Sequence, residues 1–233
     1  MDFANKKLML LFNVGGTDVY LTEAMLATWI LMAVVLVAAL ILRLKILSFR
    51  DVPAGLQNIL ESLVEAMDGL TASMIGKPSD GYSAYFFGVF GFILLSNYSG
   101  MLGLRSPTTD LAATVALALC TFLITHIMGI AKQKKNYFKG YLTPIPLFLP
   151  LNVVGELAKP VSLSFRLFGN ILGGMIIIGM IYEMLPLPLQ LLLPTIFHFY
   201  FDLFAGGLQA FIFTVLSMTF IQQKIAAPDG SLN

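Results

Sequence analysis

Arg166 is the residue whose chemistry is hardest to accommodate in this sequence. It is the only charged residue in the stretch PVSLSFRLFGNILGGMIIIGMIY, which covers residues 160–182 and is flanked by further apolar segments. An arginine at the centre of a membrane helix costs about 2.5–3.5 kcal/mol on insertion scales. Such residues face a water-filled cavity or a partner, and they usually mark an ion or substrate path. The alternative is an arginine that extends to the membrane surface. Nearly a full apolar span follows Arg166, so the sequence favours a functional site.

Further polar residues recur at helical spacing in the last two long apolar segments. The first set is Ser162, Arg166 and Asn170, and the second is His198, Asp202 and Gln209. Asp202 is the natural acidic group for a proton or another cation. A permanent cation beside an ion path repels cations and favours the ionised form of a carboxylate that faces it. The chemistry predicted here is therefore electrostatic rather than covalent.

Each polar residue also has a purely structural interpretation. Asn170 and Gln209 could form hydrogen bonds between helices, and His198 lies among aromatic residues that favour packing or an interfacial position. Glu183 is close to the turn that contains Pro186 and could be a solvated helix end, or it could line the opening of an ion path. The sequence leaves these alternatives open.

Composition indicates the class of protein. The chain is 58% hydrophobic and 12% charged, whereas soluble domains carry about a quarter charged residues. Helices satisfy their backbone hydrogen bonds internally in lipid, so we predict an all-α polytopic membrane protein. It should have about five membrane segments, an amphipathic helix and a long tilted C-terminal helical hairpin. A net charge of +1 gives no indication of a nucleic-acid partner.

The apolar segments and basic loops predict a topology. Lysine and arginine concentrate after the first and third spans, so the positive-inside rule places both loops in the cytoplasm. The N-terminus is then outside and the C-terminus inside. We expect one integral membrane domain over residues 1–233. Its parts are an external N-terminal segment (1–24), a first span (25–46), an amphipathic helix (52–75), second and third spans (84–131), a basic cytoplasmic loop (132–142) and a tilted helical hairpin with the ion path (150–223).

Several functional classes lack their sequence signatures. The sequence contains no phosphate-binding loop of the G-x-x-x-x-G-K-[ST] type and no H-E-x-x-H metal motif. A secondary transporter that binds an anionic substrate at Arg166 would be expected to show internal repeats, and none is evident. An intramembrane enzyme that uses His198 and Asp202 lacks a second set of metal ligands at suitable spacing. We predict no cofactor and no bound metal.

The motifs themselves resemble a known family. KPVSLSFRLFGN followed by a glycine-rich apolar stretch, and then GGLQAFIFTVLSM, resembles subunit a of the F-type ATP synthase. Three other segments resemble the family in the same order: VPAGLQNILESLVE, SNYSGMLGL with PTTDL after it, and PIPLFLPLNVVGE. The resemblance covers residues 52–223, and the combination of RLFGN with LQAFIF is specific.

The resemblance implies a stator subunit that lies against a rotating ring of c subunits and is associated with the b-subunit peripheral stalk. Two aqueous half-channels would carry protons, or in some members sodium ions, to and from the ring carboxylate. Arg166 would match the arginine that holds this carboxylate deprotonated and prevents a short circuit between the half-channels. Asn170 and Gln209 would line the path. The subunit would bind no nucleotide, would not be catalytic on its own, and would lie in a bacterial plasma membrane.

This sequence departs from the family pattern at two positions. Many members have an acidic residue nine positions after the arginine, where this chain has Met175. Many bacterial members have histidine seven positions before the glutamine, where this chain has Asp202. We predict that the half-channel carboxylate has moved across the helix pair to Asp202. Glu183 lies on the Met175 face two turns further on and is a second candidate.

Overall fold

The computed structural model describes residues 7–14, 17–46, 49, 52–76, 81–102, 104–142 and 145–225. Two β-strands come first, β1 (Lys7–Val14) and β2 (Thr17–Thr22). Eight α-helices follow: α1 (Glu23–Ile46), α2 (Leu56–Ile75), α3 (Tyr82–Tyr98), α4 (Leu111–Gln133), α5 (Lys135–Tyr141), α6 (Leu149–Met184), α7 (Leu187–His198) and α8 (Gly206–Ile225). Short 3₁₀ turns occupy Ser99–Leu102, Pro107–Thr109 and Pro146–Phe148, and a π-helical segment, Phe199–Ala205, joins α7 to α8.

Five helical segments of the described chain are long and apolar enough to cross a membrane. They are Glu23–Ile46, Tyr82–Leu102, Leu111–Gln133, Pro146–Met184 and Leu192–Ile225. Large apolar side chains are exposed on their surfaces; Leu36 and Leu44 of α1, for example, are 61% and 73% exposed. Exposed apolar side chains are compatible with lipid as the surrounding solvent. Helices also suit lipid, because they pair their backbone polar groups internally. The prediction of an all-α polytopic membrane protein with five membrane segments is confirmed.

The segment before the first span contains a β-hairpin that the sequence analysis did not predict. Strands β1 and β2 pair antiparallel, from Lys7 opposite Thr22 to Val14 opposite Thr17. The pairing is irregular at two places along β1. The run from Leu8 to Phe12 is apolar throughout and lacks the alternation that would mark a half-buried strand, and the sequence analysis assigned it only to an external N-terminal segment.

The described residues form two compact units. The first contains those within Met1–Val52, Gly91–Leu111 and Leu167–Ala210, and the second those within Pro53–Phe90, Ala112–Arg166 and Phe211–Asn233. In the second unit, buried apolar side chains form a core: Met67, Ile75, Phe86, Met128, Met218 and Ile221. In the first unit, buried polar residues are prominent instead, among them Asn97, Ser106 and Thr108.

Helix α2 has the amphipathic character that the sequence predicts, although it begins at Leu56 rather than residue 52. Its C-terminal half buries Met67, Thr71 and Ile75. The apolar residues of its N-terminal half are exposed, with Ile59 at 57% and Leu63 at 52%. Only the C-terminal half of the helix therefore contributes to the core.

Helix α6 continues through Pro160 as one 36-residue helix. Proline lacks a backbone N–H, so it removes the hydrogen bond to the carbonyl of residue i−4, here Glu156. Helix α5 also lies inside the segment that was predicted only as a basic loop.

Gly129 of α4 provides a test of packing in the second unit. A Cβ atom at this position would lie 2.6 Å from Cε2 of Tyr137 and 3.2 Å from Cβ of Lys224. We expect Gly129→Ala to lower the free energy of unfolding by about 1–3 kcal/mol, because the core must shift to accept the methyl group. Thermal unfolding of the purified protein in detergent measures this effect.

Gly88→Ala in α3 is the matched control, because no other atom lies within 4 Å of the Cβ it would add. We expect it to change the unfolding temperature little. Equal unfolding temperatures for the two variants would show that the contact with Tyr137 does not constrain this part of the fold.

Candidate functional site

The first compact unit contains a cavity of about 330 Å³, which we call the Asp202 cavity. Its walls come from α1, α3 and the turns after it, α6, α7 and the π-helical segment. The polar side chains that line it are Glu23, Asn97, Arg105, Ser106, Thr109, Tyr182, His198 and Asp202. Met175 lines the same cavity. Polar side chains gathered around a cavity in an otherwise apolar protein can form hydrogen bonds with water.

His198 and Asp202 form a close pair in this cavity. Nδ1 of His198 lies 2.7 Å from Oδ2 of Asp202, and the two side chains are 33% and 17% exposed. In the tautomer that carries its proton on Nδ1, this N–H group donates to the carboxylate oxygen. An imidazole and a carboxylate at this distance can pass a proton between them. Of the predicted site residues, these two are brought into direct contact.

The π-helical segment Phe199–Ala205 carries Asp202. The backbone N–H of Gly206 donates to the carbonyl of Phe201, five residues earlier, which is the hydrogen bond of a π-helix. Single π-helical turns inside α-helices occur often at functional sites. The sequence analysis assumed uninterrupted α-helical spacing from His198 to Gln209, and this assumption is wrong. The widened turn changes the direction of every side chain after it.

Asn97 holds the end of the π-helical segment. Its Nδ2 donates to the carbonyl of Gly206 at 2.8 Å, and its Oδ1 accepts from Oγ1 of Thr108 at 3.0 Å. The hydroxyl of Ser106 donates to the carbonyl of Ser96 at 2.7 Å and lies 2.7 Å from that of Thr108. Asn97 is 1% exposed, so these are buried hydrogen bonds. They link α3, the turn at Pro107–Thr109 and the start of α8.

Two glycines allow the close approaches that this arrangement needs. A Cβ atom on Gly206 would lie 2.9 Å from Cβ of Asn97, closer than real Cβ atoms approach. A Cβ atom on Gly100 would lie 3.3 Å from Oδ2 of Asp202. Gly206 therefore lets Asn97 reach the backbone, and Gly100 leaves room for the carboxylate.

Arg166 lies in α6, and its side chain is exposed. It makes no hydrogen bond or ion pair with any residue that the structure describes. Its neighbours Val161 and Phe165 are also exposed, at 53% and 55%, and so is Ser162. A charged side chain on an apolar surface is stabilised by water or by a partner, and no such partner is found among the described residues.

The remaining predicted residues differ in their surroundings. Nδ2 of Asn170 lies 3.4 Å from the carbonyl of Ala205, a long hydrogen bond. Gln209 is 5% exposed, and its Nε2 has no hydrogen-bond partner among the described residues. Glu183 is exposed and does not line the Asp202 cavity. A buried amide N–H without a partner costs about 1–3 kcal/mol, so Gln209 is placed to bind water or another group.

The second compact unit contains a larger cavity of about 720 Å³, which we call the Lys224 cavity. Charged and polar residues dominate its walls: Gln133, Asn136, Tyr137, Lys139, Tyr141, Asn152, Glu156, Lys159, Gln223 and Lys224. Oε1 of Glu156 accepts from Nζ of Lys159 at 2.9 Å and from Nζ of Lys224 at 2.8 Å. One carboxylate is thus shared by two ammonium groups.

Two tyrosines complete the surroundings of Lys224. Its Nζ donates to the hydroxyl of Tyr141 at 3.2 Å and lies 4.4 Å from the centre of that ring. The hydroxyls of Tyr137 and Tyr141 are 3.0 Å apart. Burial raises the pKa of both tyrosines above the ordinary value, because it disfavours the phenolate. Both therefore remain neutral at physiological pH and offer hydroxyl groups to the cavity.

Sequence reasoning missed several residues of both cavities. Asn97 and Gly100 belong to a polar stretch, SNYSG, at the end of an otherwise apolar span, and Arg105 follows it. The polarity of this stretch was the available signal. Glu156 and Lys224 are 68 residues apart, and nothing local in the sequence indicates that they meet. Within the described ranges, no group of three or more His, Cys, Asp or Glu residues is arranged to hold a metal ion.

Comparison with known proteins gives two concordant matches. Residues 25–222 match the family model described as ATP synthase A chain. The chain is also 38% identical over 213 residues to ATP synthase subunit a of Moorella thermoacetica (strain ATCC 39073 / JCM 9320). That alignment covers 91% of this chain and 93% of the relative. The similarity therefore extends over nearly the full length of both proteins.

The buried network around Asn97 generates a prediction. Asn97→Leu keeps a similar volume but removes the amide oxygen that accepts from the hydroxyl of Thr108 and the amide N–H that donates to the carbonyl of Gly206. We expect a loss of about 1–3 kcal/mol in the free energy of unfolding, because buried polar groups would lose hydrogen bonds. The measurement is the thermal unfolding of the purified protein in detergent.

Gln57→Leu is the control, since its hydrogen bond to Glu61 lies on the exposed surface of α2. Unchanged stability of the Asn97 variant would show that this network does not hold the fold.

Proposed function

Because this chain belongs to the ATP synthase subunit a family, we propose that it is the ion-translocating stator subunit of the membrane sector of an F-type ATP synthase. Two half-channels would carry protons to and from the carboxylates of a c-subunit ring, so that ion flow drives rotation and ATP synthesis elsewhere in the complex. The chain itself would supply a path and a gate rather than a catalytic centre.

The observation that carries this proposal is that Met175 and Asp202 line one cavity. Many members of the family that this chain resembles carry an acid at the position of Met175 in α6, whereas this chain has its acid at Asp202, in the π-helical segment. A carboxylate from either wall reaches the same space. We therefore assign to Asp202 the role of the half-channel carboxylate.

His198 favours protons as the transported ion. The imidazole and carboxylate lie 2.7 Å apart, which suits proton transfer. A bound sodium ion would instead need several oxygen ligands in a fixed arrangement, as other hard cations do. The hydroxyl of Tyr182 and the side chain of Asn97 also line this cavity and offer hydrogen-bonding groups for water. The pair would receive protons from water in the Asp202 cavity and pass them towards the ring.

Arg166 would be the gate that faces the ring. Its exposed guanidinium has no partner among the described residues, and its surroundings are apolar. A ring carboxylate that arrives at this surface would be held ionised by the fixed positive charge, because an opposite charge within about 4–6 Å favours the charged form. The same charge repels protons and would prevent them from passing directly between the half-channels.

The other predicted residues have secondary roles in this proposal. Gln209, with its unpartnered buried amide, and Asn170 would supply hydrogen-bonding groups to the ion path. Ser162 shares the exposed surface with Arg166 and would line the side that faces the ring. Glu183, which is exposed and outside the Asp202 cavity, would lie at the outer opening.

We also propose the surroundings of the subunit. The chain would form one integral membrane domain in a bacterial plasma membrane, with the N-terminus outside and the C-terminus in the cytoplasm. The basic residues after α1 and α4 support this orientation through the positive-inside rule. Its protein partners would be the c-subunit ring and the b-subunit peripheral stalk.

Arg166→Ala tests the gate. We expect ATP-driven proton uptake into inverted vesicles that hold the whole complex to fall at least about tenfold, since even 1.4 kcal/mol of lost stabilisation has that effect. ATP hydrolysis should stay detectable, because the nucleotide sites are on other subunits. Arg43→Ala, at the end of α1, is the control and should pump normally. Normal proton uptake by the Arg166→Ala variant would show that this arginine is a packing residue and not the gate.

Asp202→Asn tests the assignment of the half-channel carboxylate. We expect ATP synthesis driven by a proton gradient to fall at least about tenfold, because the amide cannot accept and release a proton. Glu183→Gln should retain most of the activity. The double variant Met175→Glu with Asp202→Asn should recover part of it, because it returns an acid to the same cavity. If Asp202→Asn alone supports synthesis at the normal rate, the assignment is wrong.

A further inference from the structure

The Lys224 cavity has an excess of positive charge that its own residues do not balance. Lys159 and Lys224 share the single carboxylate of Glu156 at 2.9 and 2.8 Å, so two positive charges face one negative charge. The side chains are shielded from solvent, with Lys159 at 26% exposure and the other two at 16%. Charges in such a place interact more strongly than charges in open water. The arrangement therefore attracts an anion.

Hydrogen-bond donors surround these charges. The hydroxyl oxygen of Tyr141 accepts from Nζ of Lys224 at 3.2 Å, and Oε1 of Gln223 accepts from Nζ of Lys159 at 3.4 Å. The same two side chains also carry an O–H and an N–H₂ group that can donate. Both side chains also line the cavity. Ammonium, hydroxyl and amide donors together suit an anion with several oxygen atoms, because each oxygen can accept hydrogen bonds from a different group. A phosphate group has this chemistry.

Apolar residues at the rim of the cavity favour a lipid over a soluble anion. Leu151 lines the cavity and is 65% exposed, and Leu147, one helical turn before it, is 82% exposed. Phe138, on α5 beside the cavity residues Tyr137 and Lys139, is 61% exposed. Acyl chains can cover such residues, whereas inorganic phosphate cannot. Basic pockets between membrane helices on the cytoplasmic side are a known type of site for acidic lipid headgroups.

We propose that the Lys224 cavity binds the phosphate group of an anionic phospholipid, with Lys159 and Lys224 as its charged contacts. The volume of about 720 Å³ is ample for a phosphoglycerol headgroup. The lipid would complete the charge balance of Glu156, Lys159 and Lys224, which connects α6 to the end of α8. The bound headgroup would thereby stabilise the packing of these two helices in the second unit. This inference does not depend on the gate at Arg166 or on the acid at Asp202.

The test uses the intact complex, delipidated in mild detergent and titrated with phosphatidylglycerol, while bound lipid is counted by native mass spectrometry. Phosphatidylcholine with the same acyl chains and inorganic phosphate are the comparison ligands. A basic residue near the membrane surface contributes a factor of about five in binding of an acidic lipid. We expect Lys159→Gln and Lys224→Gln each to weaken the binding of the titrated phosphatidylglycerol by about that factor.

Glu156→Gln provides a test with the opposite sign. It removes the single negative charge beside the two lysines, so it should strengthen phosphatidylglycerol binding. If Glu156→Gln acted only by disrupting the packing of the cavity, phosphatidylglycerol binding would become weaker, as it does in the lysine variants. Arg43→Gln is the matched control for loss of a basic residue that does not line the cavity, and it should leave the phosphatidylglycerol bound at the cavity unchanged.

Three results would overturn the proposal. The first is equal binding of phosphatidylglycerol by the wild type and both lysine variants. The second is displacement of phosphatidylglycerol by inorganic phosphate at equal concentration, which would identify a site for free phosphate. The third is loss of ATP-driven proton uptake in the lysine variants with lipid binding intact, which would make the cavity an ion path. None of these results bears on Arg166→Ala or Asp202→Asn, so the two proposals fail separately.

Discussion

The structure depends on one constraint: lipid offers no hydrogen bonds and little stabilisation to a charge. Every polar group inside a span must therefore find a partner in the chain, a water-filled cavity or another subunit. Most polar groups here find partners, as the hydroxyl of Thr108 does with Asn97. Arg166 finds none among the described residues. Its position is understandable if water or a group beyond the described residues solvates or balances the charge, and the ring carboxylate of the proposed function would do so.

The same constraint explains how the π-helical segment is maintained. A π-turn has poorer backbone geometry than an α-turn and persists where surrounding contacts favour it. Here the side chain of Asn97 donates to the carbonyl of Gly206, and that of Asn170 reaches the carbonyl of Ala205. Gly206 has no side chain to block the approach of Asn97. The small size of Gly206, the hydrogen bond from the side-chain amide of Asn97 and the position of Asp202 therefore depend on one another, and a change in any of them affects the other two.

Whether a feature could be predicted from the sequence depends on how far apart along the chain its residues lie. Hydropathy is local, so the five spans were predictable, and a lone arginine in an apolar stretch indicated Arg166. The spacing of His198 and Asp202 also indicated their proximity. Contacts between distant segments were not predictable: Asn97 meets Gly206 across 109 residues, and Glu156 meets Lys224 across 68. The π-turn was missed for the same reason, because its support comes from α3.

The two cavities show how partners decide what a carboxylate does. Asp202 has one imidazole beside it, a group that can both accept and release a proton, so the pair can exchange protons with water. Glu156 has two ammonium groups beside it, which favour its ionised form and repel an approaching proton. An acid in the first setting suits transport, whereas an acid in the second suits a fixed charge balance. The number and kind of neighbouring cations, rather than the presence of an acid in a cavity, therefore distinguish the proposed ion path from the proposed anion site.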